Sequence, residues 1–160
     1  MGDYLCLFRV KQYYKNLLVF LPIIFSGNLF NTDLLLLTIV GFISLCLISS
    51  SNYILNDLID IKKDRLHPEK KARPLASGKI AIWQGILFFV LFLITAVIIA
   101  AQLPREFLYI ILILFLFTLL YSIWLKHEAF LDILAIGINF VARAAAGALI
   151  IDVRISPWLV

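Results

Sequence analysis

Between Asn56 and Asp64 the chain reads N-D-L-I-D-I-K-K-D, which places a carboxamide and three carboxylates at the end of the uncharged apolar run from Leu34 to Leu55. At about 100° per residue, Asp57, Asp60 and Asp64 fall within roughly 60° of one another if the helix continues, so their oxygens converge on one side. Three such carboxylates repel unless cations lie between them. Oxygen-only ligands suit Mg²⁺, which takes one or two carboxylates and fills its remaining positions with water and substrate phosphate. The basic stretch that follows, R-L-H-P-E-K-K-A-R-P-L-A-S-G-K from Arg65 to Lys79, supplies the counterpart. Acids to hold metal followed by bases to hold phosphate describe a diphosphate site at a membrane surface.

The elements that must position these groups are membrane helices. With 63% hydrophobic and 15% charged residues, the chain is too apolar for an ordinary soluble domain. Uncharged windows run from Asn16 to Thr32, Leu34 to Leu55, Ile80 to Leu103 and Phe107 to Leu125. All but the first meet the roughly 20 residues that a bilayer core needs; the first, interrupted by Pro22, is expected to be a tilted span. A fifth segment, Ala129 to Ile151, is long enough but contains Asp132 and Arg143. The expected fold is all-α, a multi-pass transmembrane bundle forming one domain over 1–160, with one long loop over 61–79. Arg73-Pro74 and Ser77-Gly78 punctuate that loop, because the residue before proline avoids the helical region and Ser-Gly marks a turn.

Eleven basic residues precede the first span or lie in the second-to-third and fourth-to-fifth connections, against Arg105 and Arg154 on the other side. The positive-inside rule therefore places the N-terminus and the acidic motif in the cytoplasm, with the protein in the cell membrane. A homo-oligomer is compatible with the sequence. Nucleic acid is not an expected partner, since the net charge of +4 is not arranged along an exposed soluble module. Cys6 and Cys46 suggest neither a disulfide nor a zinc site, and His67 and His127 read as solvated interfacial residues.

In the fifth span, Asp132, Asn139 and Arg143 lie within roughly 40° of one another around a helix, forming a polar stripe toward the bundle interior. Charges in hydrocarbon are costly, so the stripe is a candidate functional face. Lys15, Lys70, Lys71, Arg73 and Lys126 fit phosphate binding, although cytoplasmic loops are basic for topological reasons as well. Tyr53 and Tyr121 sit where interfacial anchors belong.

The stretch S-S-N-Y-I-L-N-D-L-I-D-I-K-K-D-R-L-H-P-E-K-K-A-R-P-L-A-S-G resembles the first aspartate-rich motif of the UbiA superfamily of intramembrane prenyltransferases. Its D-R-x-H-P-x-K-x-x-R-P-L-A-S-G ending is most similar to the decaprenyl-phosphate phosphoribosyltransferase branch. So are R-V-K-Q-Y-Y-K-N-L-L-V-F-L-P, Y-S-I-W-L-K-H-E-A-F-L-D-I and F-V-A-R-A-A-A-G. The resemblance implies a bundle of nine helices, of which about five fall in these 160 residues. The superfamily's second acidic motif would lie beyond them, so the 160 residues alone are expected to be inactive.

The resemblance also implies a reaction. A polyprenyl phosphate attacks the anomeric carbon of 5-phosphoribosyl 1-diphosphate with release of diphosphate. Asn56, Asp60 and Asp64 would be the Mg²⁺ set, with Asp57 supporting; Lys15, Tyr53, Lys70 and Arg73 would contact the donor. Tyr121 and Lys126 enter through a Y-x-x-x-x-K spacing, one residue longer than the pattern of aromatic prenyltransferases. Lys126 and Arg143 would grip phosphate, and Asp132 would position a ribose hydroxyl or a basic partner. The alternative is transfer of a prenyl group from an allylic diphosphate to an aromatic or glycerol-phosphate acceptor. A non-catalytic subunit or a cation transporter is the reading from another class.

Overall fold

The structure is a computed structural model that describes residues 2–123 and 129–154, with the side chains of 123 and 129–132 excluded. Among the described residues every regular element is helical. Helix α1 (Gly2–Leu7) is followed by a 3-10 helix (Val10–Phe20), α2 (Leu21–Phe25), α3 (Thr32–Ile59), α4 (Ile61–Leu66), a short turn at Lys70–Ala72, α5 (Ile82–Ala100), α6 (Arg105–Ile123) and α7 (Ala129–Ile150).

Four helices are long and apolar enough to cross a membrane, within Thr32–Ile59, Ile82–Ala100, Arg105–Ser122 and Ile133–Ile150. The expected span from Asn16 to Thr32 is built differently, as the end of the 3-10 helix followed by the short α2 and a turn through Gly27 at φ 73°. The 3-10 period of three residues brings positions i and i+3 into register. Lys11, Tyr14 and Leu17 accordingly form an exposed row, while Tyr13, Asn16 and Val19 form a row turned inward. Tyr13 and Ser50 hydroxyls lie 2.8 Å apart, Asn16 is 1% exposed, and Val19 is fully buried.

Asn31 opens α3 by accepting from the backbone N–H of Asp33 and Leu34. Small residues of α3 then reach its neighbours. Ser44 donates to the Ala96 carbonyl at 2.9 Å and Ser51 to the Phe89 carbonyl at 3.2 Å, fastening α3 to α5. A methyl at Gly147 of α7 would collide with the Val19 backbone, so glycine is what lets α7 close onto the 3-10 helix. The main apolar core joins Val19, Ile23, Leu45, Phe107, Ile111, Ala146 and Ile150.

A second cluster, Leu7, Ile54, Ile61, Leu75 and Ile80, closes the end that carries the acidic motif. It explains why 61–79 is not an open loop: Leu75 and Ile80 are each 1% exposed, and burying them folds the segment back on α3. Arg65 also ties the segment together, donating from Nε to the Ala76 carbonyl at 3.2 Å. Arg73 before Pro74 is extended and Gly78 has φ 79°, as the sequence punctuation requires. Helix α5 then starts at Ile82, two residues beyond Ile80, where the Gln84 side chain accepts from the Ala81 N–H at 3.0 Å.

Candidate active site

The acidic motif does not continue as one helix. Helix α3 ends at Ile59, Asp60 is the junction residue at φ −88° and ψ 3°, and α4 sets off from Ile61. This break divides the three carboxylates, in place of the single convergent face expected from an unbroken helix. Asn56 and Asp60 line a cavity of about 380 Å³, together with Arg9, Lys15, Asn52, Tyr53, Lys70, Arg73, Tyr121 and Arg143. Asp57 and Asp64 are outside that lining and are both 3% exposed.

What holds these two buried acids is arginine. Arg73 Nη1 donates to Asp64 Oδ2 at 2.7 Å and to Asp57 Oδ1 at 3.2 Å, and Arg9 Nη2 donates to the same Asp57 oxygen at 2.8 Å. Buried carboxylates require such partners, and charge-assisted bonds of this length are the strong kind. Arg9 adopts φ 52° and ψ 43°, a left-handed conformation uncommon for a residue with a Cβ, and its guanidinium lies 4.8 Å from the Tyr53 ring centroid. The pairs neutralise much of the charge of Arg9 and Arg73 while fixing both guanidinium groups at the cavity wall.

At the deeper end, Arg143 is satisfied without any acid. Its Nε donates to Asn16 Oδ1 at 2.8 Å, and its Nη1 donates to the Asn139 carbonyl at 2.8 Å and to Asn139 Oδ1 at 3.2 Å. The expected polar stripe of α7 is thus present at Asn139 and Arg143 and faces the cavity rather than lipid. Lys126 and the side chain of Asp132 lie outside the described residues. Lys15 and Lys70 line the cavity and, among the described residues, neither belongs to an ion pair. Lys70 lies on the turn that His67 starts by accepting from the N–H groups of Glu69 and Lys70.

Sequence reasoning missed Arg9, Asn16, Asn52 and Thr118. Arg9 meets Asp57 across 48 positions and Asn16 meets Arg143 across 127, so local spacing carries no sign of either pair.

The chemistry of the donor set fits Mg²⁺: a carboxylate from Asp60 and a carboxamide oxygen from Asn56 at a wall facing several cations, with coordination left for phosphate oxygens. Among the described residues no three His, Cys, Asp or Glu side chains gather as a closed metal site. Such a metal would be held jointly with an anionic substrate, in a cavity whose Lys15, Lys70 and Arg143 favour phosphate.

The sequence pattern of the UbiA prenyltransferase family matches residues 17–160. An uncharacterized protein of Sinorhizobium fredii is 35% identical over 98% of this chain and 30% of its own length. The decaprenyl-phosphate phosphoribosyltransferase of Mycolicibacterium smegmatis is 33% identical over 94% of this chain and 48% of its own. The chain therefore spans half or less of the length of these relatives. Among solved structures, a UbiA homolog from Archaeoglobus fulgidus bound to DMAPP and Mg²⁺ superposes with a TM-score of 0.79 at 22% identity, over 97% of this chain and 56% of that one.

Proposed function

From the premise that the chain belongs to the UbiA prenyltransferase family of membrane transferases, we propose that it serves as a polyprenyl-phosphate phosphoribosyltransferase. In this reading 5-phosphoribose moves from 5-phosphoribosyl 1-diphosphate to a polyprenyl phosphate of the decaprenyl type, with release of diphosphate. The observation that carries it is the set of basic groups around one cavity: Lys15, Lys70 and Arg143, with the acid-held Arg9 and Arg73, beside Asn56 and Asp60. A prenyl diphosphate carries one diphosphate and an apolar tail, whereas the phosphoribosyl donor adds a 5-phosphate and its acceptor brings another phosphate. The similarity to the mycolicibacterial phosphoribosyltransferase supports the same choice.

Lys15 and Lys70 grip the donor's phosphates, and Arg9 and Arg73 add directed donors held in place by Asp57 and Asp64. Tyr53 and Tyr121 line the wall against the donor, and Arg143 receives the lipid phosphate. In the same reading Lys126 grips phosphate and Asp132 positions a ribose hydroxyl or a basic partner. Asn56 and Asp60 would hold Mg²⁺, with Asp64 behind them, and the bound ion would supply positive charge to offset that developing on the departing diphosphate. An oxygen of the lipid phosphate forms a bond to the anomeric carbon while the bond from that carbon to diphosphate breaks, its electron pair leaving with diphosphate. The nucleophile is already an anion, so no side chain has to act as a strong base. The excess of basic residues on one side supports a cytosolic mouth in the cell membrane, on the side of a water-soluble donor.

The test is the full-length protein in liposomes with radiolabelled phosphoribosyl diphosphate and a panel of polyprenyl phosphates. Lipid-linked phosphoribose is expected; product formed from allylic diphosphates instead would overturn the reading. Residues 1–160 expressed alone are expected to insert and give no product.

A further inference from the structure

Asn52 stands one turn before Asn56 on α3, at the wall of the same cavity. It is 8% exposed, and its Oδ1 is the one buried side-chain nitrogen or oxygen among the described residues without a hydrogen-bond partner. Its neighbours differ: Ser50 donates to the Phe8 carbonyl at 2.7 Å and Ser51 to the Phe89 carbonyl at 3.2 Å. A buried acceptor with nothing to accept is costly, and one that lines a cavity is answered by whatever fills the cavity.

The position of Asn52 says which part of a ligand it meets. Asn52 and Asp60 are eight residues apart, about 12 Å along a helix axis, so one ion cannot touch both. With the leaving diphosphate beside Asn56 and Asp60, Asn52 lies a turn further into the apolar part of α3, against the group that the diphosphate is attached to. A prenyl chain offers no donor there and would leave the oxygen unpaired in a dry wall. A ribose ring offers hydroxyls. Nor do the cavity's arginines reach it, being committed to Asp57, Asp64, Asn16 and Asn139.

We propose that Asn52 determines donor specificity, its side-chain oxygen accepting a hydrogen bond from a ring hydroxyl of the phosphoribosyl donor and disfavouring an allylic diphosphate. This rests on the phosphoribosyltransferase reading of the site. A site built to pair a hydroxyl rejects the analogue that lacks it, because the buried partner is then left unpaired.

The test uses the full-length protein and measures inhibition of phosphoribosyl diphosphate turnover by ribose 5-phosphate, 2-deoxyribose 5-phosphate and 3-deoxyribose 5-phosphate. The wild type should prefer ribose 5-phosphate to one deoxy form by about tenfold or more. Asn52→Ala should lose that preference, with the Mg²⁺ concentration for half-maximal rate unchanged. If Asn52→Ala does not fold, Asn52→Ser carries the same comparison. No wild-type preference, a preference intact in the variant, or a shifted Mg²⁺ requirement with the preference intact overturns the role of Asn52 and leaves the phosphoribosyl reading standing. A wild type that turns over only allylic diphosphates, unaffected by ribose 5-phosphate, removes that reading and this proposal together.

Discussion

Asp57 and Asp60 stand three residues apart in one motif, yet the fold gives them opposite surroundings. Asp57 is paired with Arg9 and Arg73 and borders a separate cavity with them, Asp64 is paired with Arg73, and Asp60 lines the cavity that holds Asn56, Lys15 and Lys70. The difference comes from where α3 stops, since ending the helix at Ile59 turns Asp60 into a junction residue and leaves Asp57 on the last turn. An acidic motif can therefore place its carboxylates in different surroundings, one against two arginines and one in the wall of the cavity that Asn56 lines.

The largest effect should come from Asp60→Asn, which removes the charge at the cavity wall without disturbing an apolar core. Turnover should fall by at least about a hundredfold with the melting temperature near that of the wild type. Wild-type rates in the purified variant at saturating Mg²⁺ would erase the distinction between the two acids. Asp57→Asn should act the other way round, lowering stability by about 1–2 kcal/mol through weaker arginine contacts and turnover by only about tenfold. Thermal unfolding in detergent beside the assay separates these patterns, and an Asp57 variant that is fully stable but inactive would place it with Asp60.

Much of this architecture is visible in the order of residues. Three of the uncharged windows mark α3, α5 and α6 and the charged fifth segment marks α7, Arg73-Pro74 and Ser77-Gly78 mark the turns they form, and the seven- and four-residue steps of α7 put Asn139 and Arg143 on one face. Two features are hidden for physical reasons. A 3-10 helix repeats every three residues, so the row Tyr13, Asn16, Val19 escapes a search tuned to 3.6. The division of the acids depends on Arg9 and Arg73 arriving from elsewhere in the chain, and the proposed role of Asn52 depends on there being no donor to it among the described residues. The polar face of α7 meets Asn16, which comes from the other end of the sequence, so local spacing could not reveal that partner.

Two further substitutions sharpen the contrast between charges that line the cavity and charges that do not. Lys70→Ala should weaken phosphoribosyl diphosphate binding about tenfold and lipid phosphate binding much less, as titration calorimetry would read. Equal losses for both ligands would make Lys70 a general attractor. Lys79 reaches Asp3 at 3.3 Å, but the two side chains are 59% and 49% exposed. Lys79→Ala should therefore change neither the melting temperature nor the rate measurably; a clear loss of either would show that the surface pair anchors α1.

The contact at Gly147 carries no charge, yet it governs the electrostatics of the cavity. Lys15 belongs to the 3-10 helix and Arg143 to α7, and these two elements touch backbone to side where Gly147 meets Val19. Two cations in one cavity wall repel, and a loosely joined pair of helices would relax apart, so that a bound anion would have to pull them together again. With the helices seated directly on each other, the repulsion is borne by packing instead. On the proposed function, an arriving phosphate would meet a field already assembled, and little of its binding energy would be spent on reorganising the protein.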